Sequence, residues 1–265
     1  MNFLPPHIQQ TIDFAAQHYR EKTTVAGADL LQHCLTIARQ AEIIAAKLYQ
    51  DVRKDCLGDS SKDSIAAITQ TAILRDVLRV SECTFENIAE IATVQVAAMV
   101  ALITRDFRLV ETKRDMEFRG RLSQSPIGAQ IVVVAEVLCA ANDIKKHLDK
   151  HGLAHLARLK KKLAQLDGDL LAVHATNKYY MLRLYAHAAR NLLIEISQQI
   201  KTLKQQARAQ KSLELTEKRI RTRLEAEATI QQARPAPKKA QQKKSSKPRK
   251  KVAYARKRAV KPDQD

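Results

Sequence analysis

The sequence predicts an all-α protein. Three observations carry that class. Six Gly and seven Pro in 265 residues, with no Trp, leave few positions for tight turns. Ala, Leu, Gln, Lys and Arg dominate instead, residues that lose little rotamer freedom in a helix. Apolar residues recur at helical spacing, with no period-two alternation and no Asn-Gly or Asp-Gly hairpin between apolar runs. The apolar and charged fractions, 45% and 28%, are those of an ordinary globular chain. No internal repeat of fixed period is present.

Pro5-Pro6 precedes the first amphipathic run, residues 7–20, which Gly27 separates from the next. Asp29 is the expected N-cap of a second helix over 30–52, with Leu31, Leu35, Ala38, Ile43 and Leu48 on its apolar side. Residues 55–62, containing Gly58-Asp-Ser-Ser-Lys, read as a loop. A third run begins at Asp63 or Ser64 and continues through Ile65, Ile68, Ala72, Ile73 and Val77. After a short connection, Thr84-Phe-Glu-Asn opens a fourth helix expected to reach about residue 104. A charged helix over 108–124 stops at Ser125-Pro126, and the most apolar helix, 127–148, is expected at the centre. Beyond Gly152 come a helix over 153–166 and, past Asp167-Gly168, a long run to about residue 230. Its apolar stripe through Leu192, Ile196, Ile200 and Leu203 thins to Leu213, Ile220 and Leu224.

The expected organisation is a helical domain over 1–204, a projecting or pairing helix over 205–233 and a disordered tail over 234–265. From Arg234 the chain is Ala, Pro, Gln, Ser, Lys and Arg, with Tyr254 the only aromatic, too little apolar surface to offset the entropy of ordering. Residues 231–265 hold 13 Lys/Arg against Asp263 and Asp265, so +11 of the net +18 lies there and +7 in residues 1–230. Lys238, Lys239, Lys243, Lys244, Lys247, Arg249, Lys250, Lys251, Arg256, Lys257, Arg258 and Lys261 form clusters resembling linker-histone and nucleoid-protein tails. They are the expected contacts to nucleic acid or another polyanion, sequence-independent and salt-sensitive through counterion release. The alternative is a solubilising tail without a dedicated target. A membrane partner is not expected, since no apolar anchor accompanies the charge and the apolar stretches 91–103 and 131–141 are short. The first residues lack the basic region and apolar core of a signal peptide, and Cys34, Cys56, Cys83 and Cys139 show no metal-ligand spacing. Cys34 and Cys139 are expected as buried, reduced thiols, and the compartment as cytoplasmic.

At three places the body resembles the HD-domain hydrolases of the RelA/SpoT type, which remove pyrophosphate from guanosine tetraphosphate. Residues 27–38, Gly27-Ala-Asp-Leu-Leu-Gln-His33-Cys-Leu-Thr-Ile-Ala38, are similar to the first metal-ligand segment of that family. Residues 72–88, through Arg75-Asp76, Arg79-Val80 and Thr84-Phe-Glu-Asn, are similar to its signature helix and loop. Ser125-Pro126 and the following Val134-Ala135-Glu136-Val137-Leu138 are similar to the segment carrying its last ligand. The match runs over roughly residues 10–200, with a longer stretch between the first two segments than is usual.

The resemblance implies an HD-domain-like bundle, and one divalent metal, usually manganese, bound through His, a His-Asp pair and a later Asp. Those positions hold His33, Arg75, Asp76 and Glu136 here. The acid pair implicated in activating water is Arg79-Val80, and the Asn after the last ligand corresponds to Ala140, with Asn142 nearby. An Arg has no lone pair for a metal, and its fixed charge repels one. The expectation is therefore a catalytically silent protein: no catalytic residue, no cofactor, His33, Asp76 and Glu136 as vestigial ligands, and Arg75 and Arg79 as metal replacement or anion contacts. Arg75 is expected either to pair with Asp76 or Glu136 or to point to solvent. His33 is read as a core residue or a ligand. His147, His151 and His155 recur every four residues, which suits zinc but is more simply a solvated stripe among Lys145, Lys146 and Lys150. Lys160-Lys161-Lys162 read as a solvated face, and Tyr179, Tyr180 and Tyr185 as packing residues.

The expected function is that of a scaffold or binding module with a polyanion-binding tail. One alternative is a manganese-dependent phosphohydrolase or nucleotide sensor of the guanosine tetraphosphate type. Another is a structural protein that pairs through residues 205–233 with a second copy or a helical partner.

Overall fold

The computed structural model describes residues 5–24, 27–51, 60–148, 153–176 and 179–232. Among these, helices follow one another without a strand: α1 (Pro6–Tyr19), α2 (Leu30–Asp51), α3 (Ser60–Leu74), α4 (Val77–Val80), α5 (Phe85–Ile91), α6 (Val94–Ile103), α7 (Glu111–Ser123), α8 (Ile127–His147), α9 (Leu153–Thr176) and α10 (Tyr180–Gln232). By its contacts the chain divides into two units, residues 1–212 and 213–265.

Within the first unit α2 lies against α3 and α8, α3 also against α1 and α6, and α7 against α9. The apolar run of α8 is the centre: Ile131, Val132, Val134, Ala135 and Val137 are wholly buried. Over Ile127–Lys146 this helix is long and apolar enough to cross a bilayer, a length the stretch 131–141 understates, and 67% of it is buried within the bundle. The first half of α10 adds Leu182, Ala186, Ala189, Leu193, Ile196 and Ile200 to the core. In the second unit, the described part of α10 leaves Leu213, Leu215, Ile220 and Leu224 exposed. Cys34 and Cys139 are buried free thiols. The tail, with its twelve candidate contacts from Lys238 to Lys261, lies outside the described residues, as do Cys56, His151 and the side chains of His147 and His155.

Several caps follow from the residues named above. Gly27 has φ 83, a left-handed conformation that suits Gly. Asp29 Oδ1 accepts from the Gln32 amide at 2.8 Å, and Thr84 and Asn87 form a reciprocal capping box at the start of α5.

Four boundaries differ from expectation. The third run does not continue to Val77. It breaks after Leu74, where the Tyr19 hydroxyl donates to the Ile73 carbonyl at 2.9 Å and accepts from the Asp76 amide at 3.2 Å. That run also starts earlier, at Ser60, inside the expected loop. The fourth helix is two, because Thr93 caps α6 by accepting from the Val96 amide at 3.1 Å. Asp167-Gly168 does not interrupt α9. Asp167 accepts from Arg190 at 2.7 Å, Asp169 pairs with Arg105 and Arg119, and the missing Cβ of Gly168 makes room for the Arg119 guanidinium. Both residues are helical, and α9 runs on to Thr176 before α10 begins at Tyr180.

Candidate functional site

A cleft of about 420 Å³ opens between α2, the α3–α4 junction, α7, α8 and α9. His33 on α2, Arg75 and Asp76 at the junction, Arg79 on α4 and Glu136 on α8 all line it. At its floor Arg75 faces two carboxylates from different elements. Its Nη2 lies 2.6 Å from Glu136 Oε2 and its Nη1 3.4 Å from Asp76 Oδ2. Arg79 Nε donates to the other oxygen of Asp76 at 2.8 Å. The Arg75, Asp76 and Glu136 side chains are only 10, 11 and 15% exposed, so the pairing takes place largely out of water. Of the readings of Arg75, the ion pair is the one observed, with both acids rather than one.

Burial alone would raise the Asp76 pKa, but the charges of Arg75 and then Arg79 outweigh it and hold the carboxyl at about 2. Glu136 is held low in the same way, against burial, by Arg75 and Lys162. His33 is buried, and its Nδ1 lies 2.8 Å from Asp143 Oδ2. Burial, and next the Arg75 charge, lower the His33 pKa against the pull of Asp143, which favours a neutral ring donating Nδ1–H to the carboxylate.

This donor set does not fit a divalent metal ion. Both Asp76 oxygens face guanidinium nitrogens, Glu136 bridges Arg75 and, at 4.0 Å, Lys162, and the charge a metal would supply is already present as Arg75. Among the described residues no three His, Cys, Asp or Glu are grouped to hold a metal.

Sequence reasoning missed the cleft wall. Arg105, from the loop after α6, pairs with Asp115 at 2.6 Å and with Asp169, its guanidinium 3.9 Å over the Phe118 ring. The pairs Glu111–Lys161, Asp115–Gln165 and Asp169–Arg119 repeat every four residues up α7 and α9, a ladder that fixes the two helices in register. Lys162 is not on a solvated face: it is half-buried in the cleft, whereas Lys160 and Lys161 are exposed. Arg114 stacks 4.6 Å over Phe107, and neither it nor Arg158 has an acidic partner among the described residues. Seven Lys and Arg line the cleft against four Asp and Glu, a surplus of three positive charges. A four-residue spacing of acids and bases on α7 and α9 was the available signal, but only the pairing of those helices gives it meaning.

No protein-family model matches the chain, and no curated protein matches it. Its structure is similar to that reported for a metazoan ortholog of SpoT, which hydrolyzes ppGpp and plays a role in starvation responses. The TM-score is 0.51 at 14% identity, over 71% of this chain and 96% of that one. At that identity the likeness speaks for fold alone, and the fold of this chain is an HD-domain-like, all-α bundle with a long C-terminal helix.

Proposed function

We propose that the chain is a catalytically silent HD-domain-like protein, a scaffold or binding module whose tail engages nucleic acid or another polyanion. One observation carries the silence: the Arg75 guanidinium, bound to Asp76 and Glu136, stands at the position the resemblance gives to a metal-ligating His. Hydroxide at neutral pH needs a metal or a positioned base, and among the described residues Arg75 occupies the carboxylates that a metal would need. Arg79-Val80 supplies no acid where the resemblance places the water-activating pair. The cleft's surplus of positive charge suits an anionic ligand held without turnover, with Arg79, Arg114 and Arg158 as the available contacts.

A second reading, a metal-dependent pyrophosphohydrolase or nucleotide sensor, draws its support from the ppGpp-hydrolyzing activity of the structurally similar protein. Release of pyrophosphate by the full chain decides for it. A third, self-association through residues 205–233, draws on the exposed Leu213, Ile220 and Leu224.

The tail is tested by fluorescence polarisation of labelled DNA and RNA with the full chain and with residues 234–265 deleted, at several salt concentrations. Each phosphate neutralised makes log affinity fall by about 0.9 per unit of log salt on duplex DNA. The full chain is expected to bind without sequence preference and with a steep slope, the deletion variant far more weakly and with a shallow one. Equal affinities and slopes would remove the tail from the function.

A further inference from the structure

We infer that residues 213–232 pair with the same segment of a second copy in antiparallel order, Leu213 of one copy packing on Leu224 of the other. The inference rests on the self-association reading above and adds the direction and register of the partner. Residues 213–229 are exposed throughout, and Leu213, Leu215, Ile220 and Leu224 are each more than half exposed. A lone helix of this length is marginal in water, so the segment gains from a second helix laid along its apolar side.

Leu213, Glu217, Ile220 and Leu224 follow one another at spacings of four, three and four residues, the alternation of a coiled-coil seam. Leu215 lies off that seam. The next seam positions outward, Gln210 and Glu227, are polar, so the apolar seam runs from Leu213 to Leu224. Two such seams overlap completely in only two arrangements: parallel and in register, or antiparallel with residue 213 level with residue 224.

Charge decides between them. In the parallel arrangement Glu217 faces its own copy across the seam, and the basic run Lys218, Arg219, Arg221 and Arg223 lies along itself. In the antiparallel arrangement Glu217 is level with Ile220 of the second copy and one residue from its Arg221, and Glu214 is level with its Arg223. The contacts these arginines make within the helix, Arg221 to Glu225 at 3.3 Å and Arg223 to Glu227 at 3.1 Å, are exposed pairs that are exchanged at little cost. Antiparallel order also sets the two Gln232 residues about 40 Å apart, against about 10 Å in a parallel pair. The two basic tails then start from opposite ends of the paired helices, and the pair is a bivalent polyanion binder.

The experiment places a thiol at each end of the seam. Leu213→Cys and Leu224→Cys are made singly in the full chain and oxidised, each alone and as an equal mixture, and disulfides between chains are mapped by mass spectrometry. In antiparallel order two copies of residue 213 lie about 16 Å apart along the axis, beyond disulfide reach, and so do two copies of residue 224. The mixture is therefore expected to join residue 213 to residue 224, and neither variant alone to cross-link at its new thiol. A disulfide between two copies of residue 213 or of residue 224 overturns the proposal and leaves self-association standing. So does a pair that forms without joining 213 to 224 in the mixture. Sedimentation of the unmodified chain at several concentrations tests the reading beneath. A pair that dissociates on dilution is expected, weakened roughly tenfold or more by Leu224→Gln. A monomer at every concentration overturns both.

Discussion

Asp76 is the most heavily used residue of the cleft. Its amide donates to the Tyr19 hydroxyl, and its two carboxylate oxygens accept from Arg79 and face Arg75. A carboxyl held at about 2, against an ordinary 3.8, takes its stabilising charge only above its unfolded pKa and loses it as pH falls through the folded value. The shift corresponds to about 2 kcal/mol. His33 acts in the same direction at higher pH. Its folded pKa is lowered, so the unfolded chain takes up the proton first and stability drops as pH falls below the ordinary 6.5. Urea unfolding followed from pH 8 to pH 2 is therefore expected to show two losses, one beginning below about 6.5 and one between about 4 and 2. His33→Asn should flatten the first and leave the second. A curve flat across both windows would mean that neither group differs between folded and unfolded chains. The residues of this centre were legible in the sequence because their order matched a known family. Arg105, Arg114 and Asp169 were not, since nothing local distinguishes an Arg that meets an Asp sixty-four residues away.

At the scale of elements, the apolar periodicity located the helices, and the boundaries that escaped it were set by tertiary contacts. Nothing in Ile73-Leu74-Arg75-Asp76 breaks a helix by propensity; the Tyr19 hydroxyl does so by taking the hydrogen bonds of Ile73 and Asp76. Gly168, a turn signal in isolation, sits inside α9 because Arg119 needs the space. Glycines in helices thus divide by what a methyl group would meet. At Gly128, near the start of α8, a Cβ would lie 2.9 Å from Ile68 Cγ1 and 3.1 Å from Met99 Sδ, so α3, α6 and α8 approach closely there. At Gly120, on α7, it would meet nothing within 4 Å. Gly120→Ala is expected to stabilise by about 0.5–1 kcal/mol from backbone entropy and helix propensity. Gly128→Ala gains the same propensity and loses more to overpacking, a net cost on the order of 1 kcal/mol. Chemical denaturation of the two variants checks the opposite signs. Equal gains at both sites would mean that the three-helix contact around Gly128 is looser than described.

At the scale of the whole molecule the sequence reading and the fold agree on class: a helical bundle around α8, with a long last helix. That much was legible because composition and periodicity act on every element at once. The charge balance of the cleft was not, since it depends on which of the many Lys, Arg, Asp and Glu converge. The bundle places a permanently charged guanidinium between two carboxylates and lines the opening above it with a surplus of positive side chains. The proposed reading is that this arrangement holds an anion rather than cleaving one. The most direct measurement is pyrophosphate release from guanosine tetraphosphate by the full chain, in manganese and in a chelator, with the metal content of the purified protein determined alongside. The account predicts release no faster than the uncatalysed reaction in either condition, and no stoichiometric metal. Manganese-dependent turnover, abolished by the chelator and by Asp76→Asn, would contradict it.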